Sequence, residues 1–165
     1  MQVDERHREL MLMALEASRR ALPHCRPNPP VGCVLVRNDQ VIATGFTQPP
    51  GDHHAEANAL SMVDGSLSDV SVYVTLEPCS FHGRTPSCAR ALIDNNVKEV
   101  HVAMLDPHPK NNGEGIKLLR DAGITVSLGI AEEEVSSFLA PYLIRTIETS
   151  IQEFGGRPES QHNDR

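Results

Sequence analysis

Four short apolar runs alternate with stretches of helical character, and this alternation restricts the fold more than any other feature. The runs are VGCVLV (31–36), VSVYVTL (70–76), EVHVAML (99–105) and ITVSLG (124–129). A further run, VIATGF, follows the first across Asn38 and Asp39, which reads as a β-hairpin. A helix is expected over residues 4–22, where Met11, Leu15 and Leu22 recur at helical spacing, and RPNPP (26–30) must break it. Further helices are expected in HAEANALSMV from His54, in PSCARALIDNN, in GEGIKLLRDAG and from Ala131. Thr85 reads as the cap of the PSCARALIDNN helix, with Pro86 at its first position, and Pro141 should kink or divide the last helix. The order β-β-α-β-α-β-α-β-α implies an α/β fold whose sheet is largely parallel after the hairpin, with helices on both faces.

This topology brings distant residues together. Strands joined through helices run parallel, so the segments after strands two, three and four leave from one edge of the sheet. They carry His53, His54 and Glu56, then Cys79, then Asp106 and His108. Strand one is antiparallel to strand two, so Asn28, just before it, reaches the same edge. Ligands of open α/β sheets bind at this carboxyl edge.

The 165 residues suit one domain over residues 1–154, followed by a polar tail over 155–165 that is expected to be disordered. Hydrophobic residues make up 39 % and charged ones 22 %, and neither an apolar leader nor a membrane span is evident, so a cytoplasmic protein is expected. The 4 cysteines then read as thiols, not as a disulfide framework. A net charge of −7 with only 4 % aromatic residues argues against a nucleic acid as partner. A small anionic substrate needs only a few local cations.

His54, Cys79 and Cys88 offer one imidazole and two thiolates, a set suited to zinc. Three protein ligands leave the fourth tetrahedral position open, as catalytic sites do. Glu56, two residues past His54, is placed to take a proton from zinc-bound water and pass it to a leaving group. Attack of zinc-bound hydroxide on an amidine-like ring carbon, with loss of ammonia, is hydrolytic deamination.

H-x-E with P-C-x-x-C marks zinc deaminases. Here His54-Ala55-Glu56 and Pro78-Cys79 match, but Cys88 follows Cys79 after eight intervening residues. HAE, TLEPCSFHGRTPSC, RPNPPVGCVLV and DPHPKNNGEGIKLLRDAGI together closely resemble the deaminase domain of the riboflavin-biosynthesis pyrimidine deaminase/reductase family. In that family the long spacing is normal and the insertion contacts substrate. The resemblance runs from the first helix to about Ala131. It implies a three-layer α/β/α cytidine-deaminase-like fold with a mixed five-stranded sheet, and an oligomer, at least a dimer. His54, Cys79 and Cys88 would bind zinc and Glu56 would shuttle protons. Asn28, Arg84, Thr85 and Asp106 fall at substrate-contact positions. Arg84 also fits, as a forked cation, a substrate phosphate.

Three positions depart from the family's bacterial pattern: Thr47 and Phe81 where histidine is usual, and His108 where asparagine is common. His82 follows Phe81 and counts, with His108, among the candidate substrate contacts. No reductase segment is expected after about Ala140. The implied substrate is a diaminopyrimidinone ribosylamino or ribitylamino 5′-phosphate. A stand-alone deaminase with an altered pocket is compatible with the ribitylamino compound, and the choice stays open.

Taken singly, the residues have plainer readings. Cys33 reads as a buried small hydrophobe and Cys25 as a loop thiol without a role. His7, His24, His101 and His162 read as surface or packing histidines, and His53 as a cap or a mere neighbour of the helix. Arg84 could be a solvated loop charge, and Asn111 and Asn112 read as helix caps. The plain reading of the whole set is a closed zinc site with Glu56 on solvent. Rival functions are a deaminase of another base or nucleoside in salvage or secondary metabolism, a nucleic-acid deaminase, and a non-catalytic scaffold. Retention of all three ligands and Glu56 weighs against the last.

Overall fold

The computed structural model describes residues 2–81 and 87–154. Its elements are α1 (Gln2–Arg19), β1 (Gly32–Arg37), β2 (Gln40–Phe46), α2 (Ala55–Leu60), β3 (Val70–Leu76), α3 (Cys88–Asp94), β4 (Glu99–Met104), α4 (Glu114–Asp121), β5 (Thr125–Leu128) and α5 (Glu132–Phe154). The five strands form one mixed sheet in the order β2-β1-β3-β4-β5. β1 is antiparallel to both β2 and β3, whereas β3, β4 and β5 run parallel. The β1–β2 hairpin pairs Arg37 with Gln40 across a two-residue turn. Asn38 (φ 50°) and Asp39 (φ 66°) take its left-handed conformations, which Asn and Asp tolerate better than most residues.

Alternation along the strands sorts side chains between two cores. Cys33 and Leu35 of β1, with Val72, Val74, Val100 and Val102, face Ala55 and Ala59 of α2, Leu92 of α3, and Ile116 and Leu119 of α4. Val34, Val36, Tyr73 and Ala103 point the other way, onto Leu10, Met11, Ala14 and Leu15 of α1 and Val135 and Leu139 of α5. The architecture is the expected three-layer α/β/α sandwich.

Three boundaries differ from expectation. α1 stops at Arg19, because Pro23 disfavours helix at Leu22; turns from Arg20 to Asn28 follow. α2 ends at Leu60 rather than continuing to Val63. α5 runs through Pro141 as one helix instead of being divided. The tail expected to be disordered, 155–165, lies outside the described residues. No helix among the described residues is long and apolar enough to cross a membrane.

Candidate active site

The site forms at the carboxyl ends of β2 and β3. After β2 the chain turns through a loop that the Gln48 N–H closes onto the His53 carbonyl (3.0 Å), and His54 becomes the N-cap of α2. His54 makes no side-chain cap bond, which leaves its ring to face the sheet edge instead of its own helix. α2 lies directly on β2: a Cβ at Gly45 would sit 2.5 Å from the Ala55 carbonyl oxygen and 2.6 Å from the Ala59 nitrogen. The Asn58 side chain ties the two together by accepting from the Phe46 N–H (3.1 Å). Only glycine at position 45 lets the helix carrying His54 and Glu56 approach this closely.

Cys79 follows β3. Its Sγ accepts the backbone N–H of Cys88 (3.2 Å), and its carbonyl accepts that of Ala89 (3.0 Å), so the thiol sits at the N-terminus of α3. Cys88 is the first residue of α3, and Ser87 is the cap, accepting from the Arg90 N–H (3.1 Å). The cap is therefore Ser87 and not Thr85. Serine here places Cys88, rather than Pro86, at the first helical position.

His54 Nδ1 lies 3.3 Å from Cys88 Sγ, and the ligand atoms of His54, Cys79 and Cys88 all lie within 4.8 Å of one another. Ligands on a tetrahedral ion with bonds of ~2.0–2.3 Å are themselves roughly 3.5–3.8 Å apart, so these donors need only small movements to close on zinc. Among the described residues no fourth histidine, cysteine or carboxylate joins the group.

Glu56 is 4 % exposed, which is incompatible with a carboxylate on solvent. It lines a cavity of about 30 Å³ together with Pro29, Thr47, His54, Glu77 and Cys79, room for a solvent molecule. The Cys88 thiol is held well above its usual range by its hydrogen bond with Cys79, by burial and by the Glu56 charge. Burial, and then Glu56, also push the Cys33 thiol up. Two thiols and a carboxylate crowded out of water disfavour negative charge. A divalent cation reverses that preference, so the donor chemistry fits a metal.

Thr47 stitches β2 to the start of β1, where its hydroxyl accepts from the Val31 N–H (2.9 Å) and donates to the Pro29 carbonyl (3.2 Å). This draws Pro29, and with it Asn28, to the rim. Asn28 is half-buried, and its N–H donates to the Cys25 carbonyl (2.9 Å). Asp106 and His108 are 1 % and 3 % exposed, and Asp106 Oδ1 accepts from the His108 N–H (3.0 Å). The Phe81 and His108 rings stand 6.0 Å apart, so two of the positions that depart from the family pattern face each other. The candidate contacts His82, Arg84 and Thr85 lie outside the described residues.

Two residues acquire roles that the sequence did not assign. Asn111 is not a cap. It is fully buried and donates to the Pro78 carbonyl (3.1 Å) and to Asp106 Oδ2 (3.2 Å), while Gly113, at φ 94°, is the N-cap of α4. Glu77, 3 % exposed, directs its carboxylate at backbone amides of the Asp106 loop and of α4. Both lie inside the motifs quoted above, but what they bind is set by tertiary packing: three backbone amides for Glu77, and the Pro78 carbonyl and the Asp106 carboxylate for Asn111. Cys33 is buried as expected, and Cys25 proves to be fully buried too. His101 packs against Tyr73 (rings 4.5 Å apart) and His7, while His53 and His24 are exposed.

The family described as the cytidine and deoxycytidylate deaminase zinc-binding region matches residues 4–104. A diaminohydroxyphosphoribosylamino-pyrimidine deaminase of Buchnera aphidicola subsp. Schizaphis graminum is 38 % identical over 78 % of this chain and 87 % of its own. The riboflavin biosynthesis protein RibD of Chlamydia pneumoniae is 44 % identical over 81 % of this chain, but that match spans only 35 % of the relative's length. The Acinetobacter baumannii RibD structure superposes with a TM-score of 0.82 at 40 % identity, over 88 % of this chain and 41 % of that one. With a His–Cys–Cys group built at the predicted edge, the chain belongs to the cytidine and deoxycytidylate deaminase zinc-binding family.

Proposed function

We propose that residues 1–154 form a zinc-dependent deaminase domain that hydrolyses the exocyclic amine of a diaminopyrimidinone ribosylamino or ribitylamino 5′-phosphate in riboflavin biosynthesis. One observation carries the reading: Glu56 is buried beside His54, Cys79 and Cys88 rather than turned to solvent. The Buchnera deaminase, matched over most of its length, supports the substrate class. His54, Cys79 and Cys88 hold the metal, which when bound supplies a Lewis acid that acidifies water. Glu56 accepts a proton from the attacking water and delivers it to the departing amino nitrogen. The ring carbon gains a C–O bond, loses its C–N bond, and ammonia leaves. Asn28, Asp106, His82 and His108 contact the substrate, and Arg84 and Thr85 meet its phosphate end. An oligomer, at least a dimer, in the cytoplasm is the form in which we place it.

A second reading is a deaminase of another base or nucleoside, favoured by the Phe81–His108 contact at two positions that depart from the pattern. The test is ammonia release from the ribosylamino and ribitylamino pyrimidine phosphates side by side, with Glu56→Ala as control. Release from either by the wild type, with turnover falling by roughly 10²–10⁴ in a variant that keeps its zinc, is the expected outcome. Equal turnover by Glu56→Ala would remove the assigned chemistry. No release from either compound by a zinc-loaded wild type would transfer the assignment to the second reading.

A further inference from the structure

We propose that Glu77 is a positioning residue for substrate recognition, holding the 106–113 loop against the segment that carries Cys79; this rests on the deaminase reading above. The Glu77 backbone is fixed by the sheet, its N–H donating to the Met104 carbonyl (3.0 Å) as an extension of the β3–β4 pairing. From that fixed point its carboxylate reaches three amides on another segment. Oε1 accepts from the Asp106 N–H (3.1 Å) and the Gly113 N–H (2.9 Å), and Oε2 from the Ile116 N–H (3.0 Å).

The last two partners are the N-cap and third residues of α4. In a capping box those two amides are satisfied by side chains of the helix's own first turn. Gly113 has no side chain to offer, and one carboxylate from outside the helix supplies both bonds. Its negative charge also suits the positive end of the helix. The third partner, Asp106, lies at the opposite end of the loop. Glu77 therefore clamps both ends of the segment bearing Asp106 and His108.

Asn111 holds the middle of the same loop to the neighbouring Pro78 carbonyl and to Asp106. Among the described residues its Oδ1 is buried without a hydrogen-bond partner, a cost borne where a flipped amide would lose both donated bonds. Cys79 is held separately, by the Cys88 and Ala89 amides of α3. Loosening the loop and losing the metal ligand are thus separable events.

The experiment compares wild type, Glu77→Gln and Asn111→Ala in the full chain. Glutamine keeps the side-chain volume but offers one acceptor oxygen, so at least one of the three amides loses its partner. For Glu77→Gln we expect unchanged zinc stoichiometry and faster hydrogen exchange at the Asp106, Gly113 and Ile116 amides, with the Ala89 amide still protected. KM for the pyrimidine phosphate should rise about tenfold or more while kcat changes by less than about threefold, since a hydrogen bond to a charged group is worth a decade or more. Asn111→Ala should move KM in the same direction. A merely structural residue would instead lower the folded fraction and zinc content together at constant KM, and that outcome overturns the proposal. Unchanged exchange at the three amides overturns it as well. Should the wild type turn over neither pyrimidine, the functional reading alone fails, and the exchange data still decide whether Glu77 holds the loop.

Discussion

Gly115→Ala places two physical effects in opposition. Gly115 is the second residue of α4 and does not need a left-handed conformation. By helix propensity alone, alanine there should stabilise the protein by up to about 1 kcal/mol. Its Cβ, however, would fall 1.9 Å from the Pro78 carbonyl oxygen and 3.2 Å from the Glu77 Cγ. The first distance is about 1.5 Å short of ordinary contact, and the obstructing atom is backbone, which cannot rotate aside. Relief requires that the start of α4 move away from the Glu77–Pro78–Cys79 segment, or that segment from β3. Overpacking of this kind costs roughly 1–3 kcal/mol, enough to cancel or exceed the propensity gain. For a chain of this size Tm should fall by about 2–4 °C for each net kcal/mol. The effect on turnover should be larger, because a displacement near 1 Å at a reacting centre costs on the order of 10² in rate. Thermal unfolding, zinc stoichiometry and kcat/KM measured on the same preparation test this. Gly123→Ala is the control: it sits at φ 90° with open space around it, so it should lower stability with little change in kcat/KM. A Gly115→Ala protein with raised Tm and kcat/KM within twofold of wild type would refute the reasoning that this glycine permits the close approach.

Two further outcomes follow from the site and from the polar cluster on the opposite face of the sheet. Removing the metal by chelation should lower Tm by roughly 8–16 °C, since a ligand at a thousand times its Kd contributes about 4 kcal/mol; an unchanged Tm would mean that His54, Cys79 and Cys88 hold no metal. The pKa of His101, which meets Ser127 (2.6 Å) and Glu99 (3.0 Å) and stacks on Tyr73 beside His7, is depressed below the ordinary histidine value of 6.5 by burial, against the opposing pull of Glu99. The unfolded chain therefore takes up this proton first on acidification: the stability is present above pH 6.5 and is lost as pH falls through the folded value. Tm should drop more steeply between pH 7 and 5 for the wild type than for His101→Gln, and parallel slopes would show that this histidine is not responsible.

The hairpin and the largely parallel sense of the sheet were legible because apolar runs separated by helix-length segments admit few arrangements, whereas the strand order β2-β1-β3-β4-β5 came from the structure. Once β3 follows β2 through a helix, His54 and Cys79 must leave the sheet at one edge, and Cys88 follows on the next helix. The metal group and Glu56 were readable for that reason. Their chemistry resides in side-chain types that few other arrangements bring together. The sequence points to Thr85 as the cap of α3 where the structure has Ser87, because threonine before proline and serine before cysteine are both good starts and local propensity does not choose between them. Glu77 and Asn111 lie inside quoted motifs, but nothing in those motifs says what their side chains bind. A glutamate beside a proline after a strand resembles any surface carboxylate, and an asparagine two residues before a glycine resembles any cap. What distinguishes them is the set of backbone amides and carbonyls, 29 to 39 residues away for Glu77, that close packing of α4 onto the end of β3 brings within 3.1 Å. Side-chain identity and periodicity, written in the sequence, determined which groups can do chemistry and at which edge they meet. Backbone hydrogen bonds carry no residue code, so only the folded chain revealed that the Glu77 carboxylate accepts from the Asp106, Gly113 and Ile116 amides.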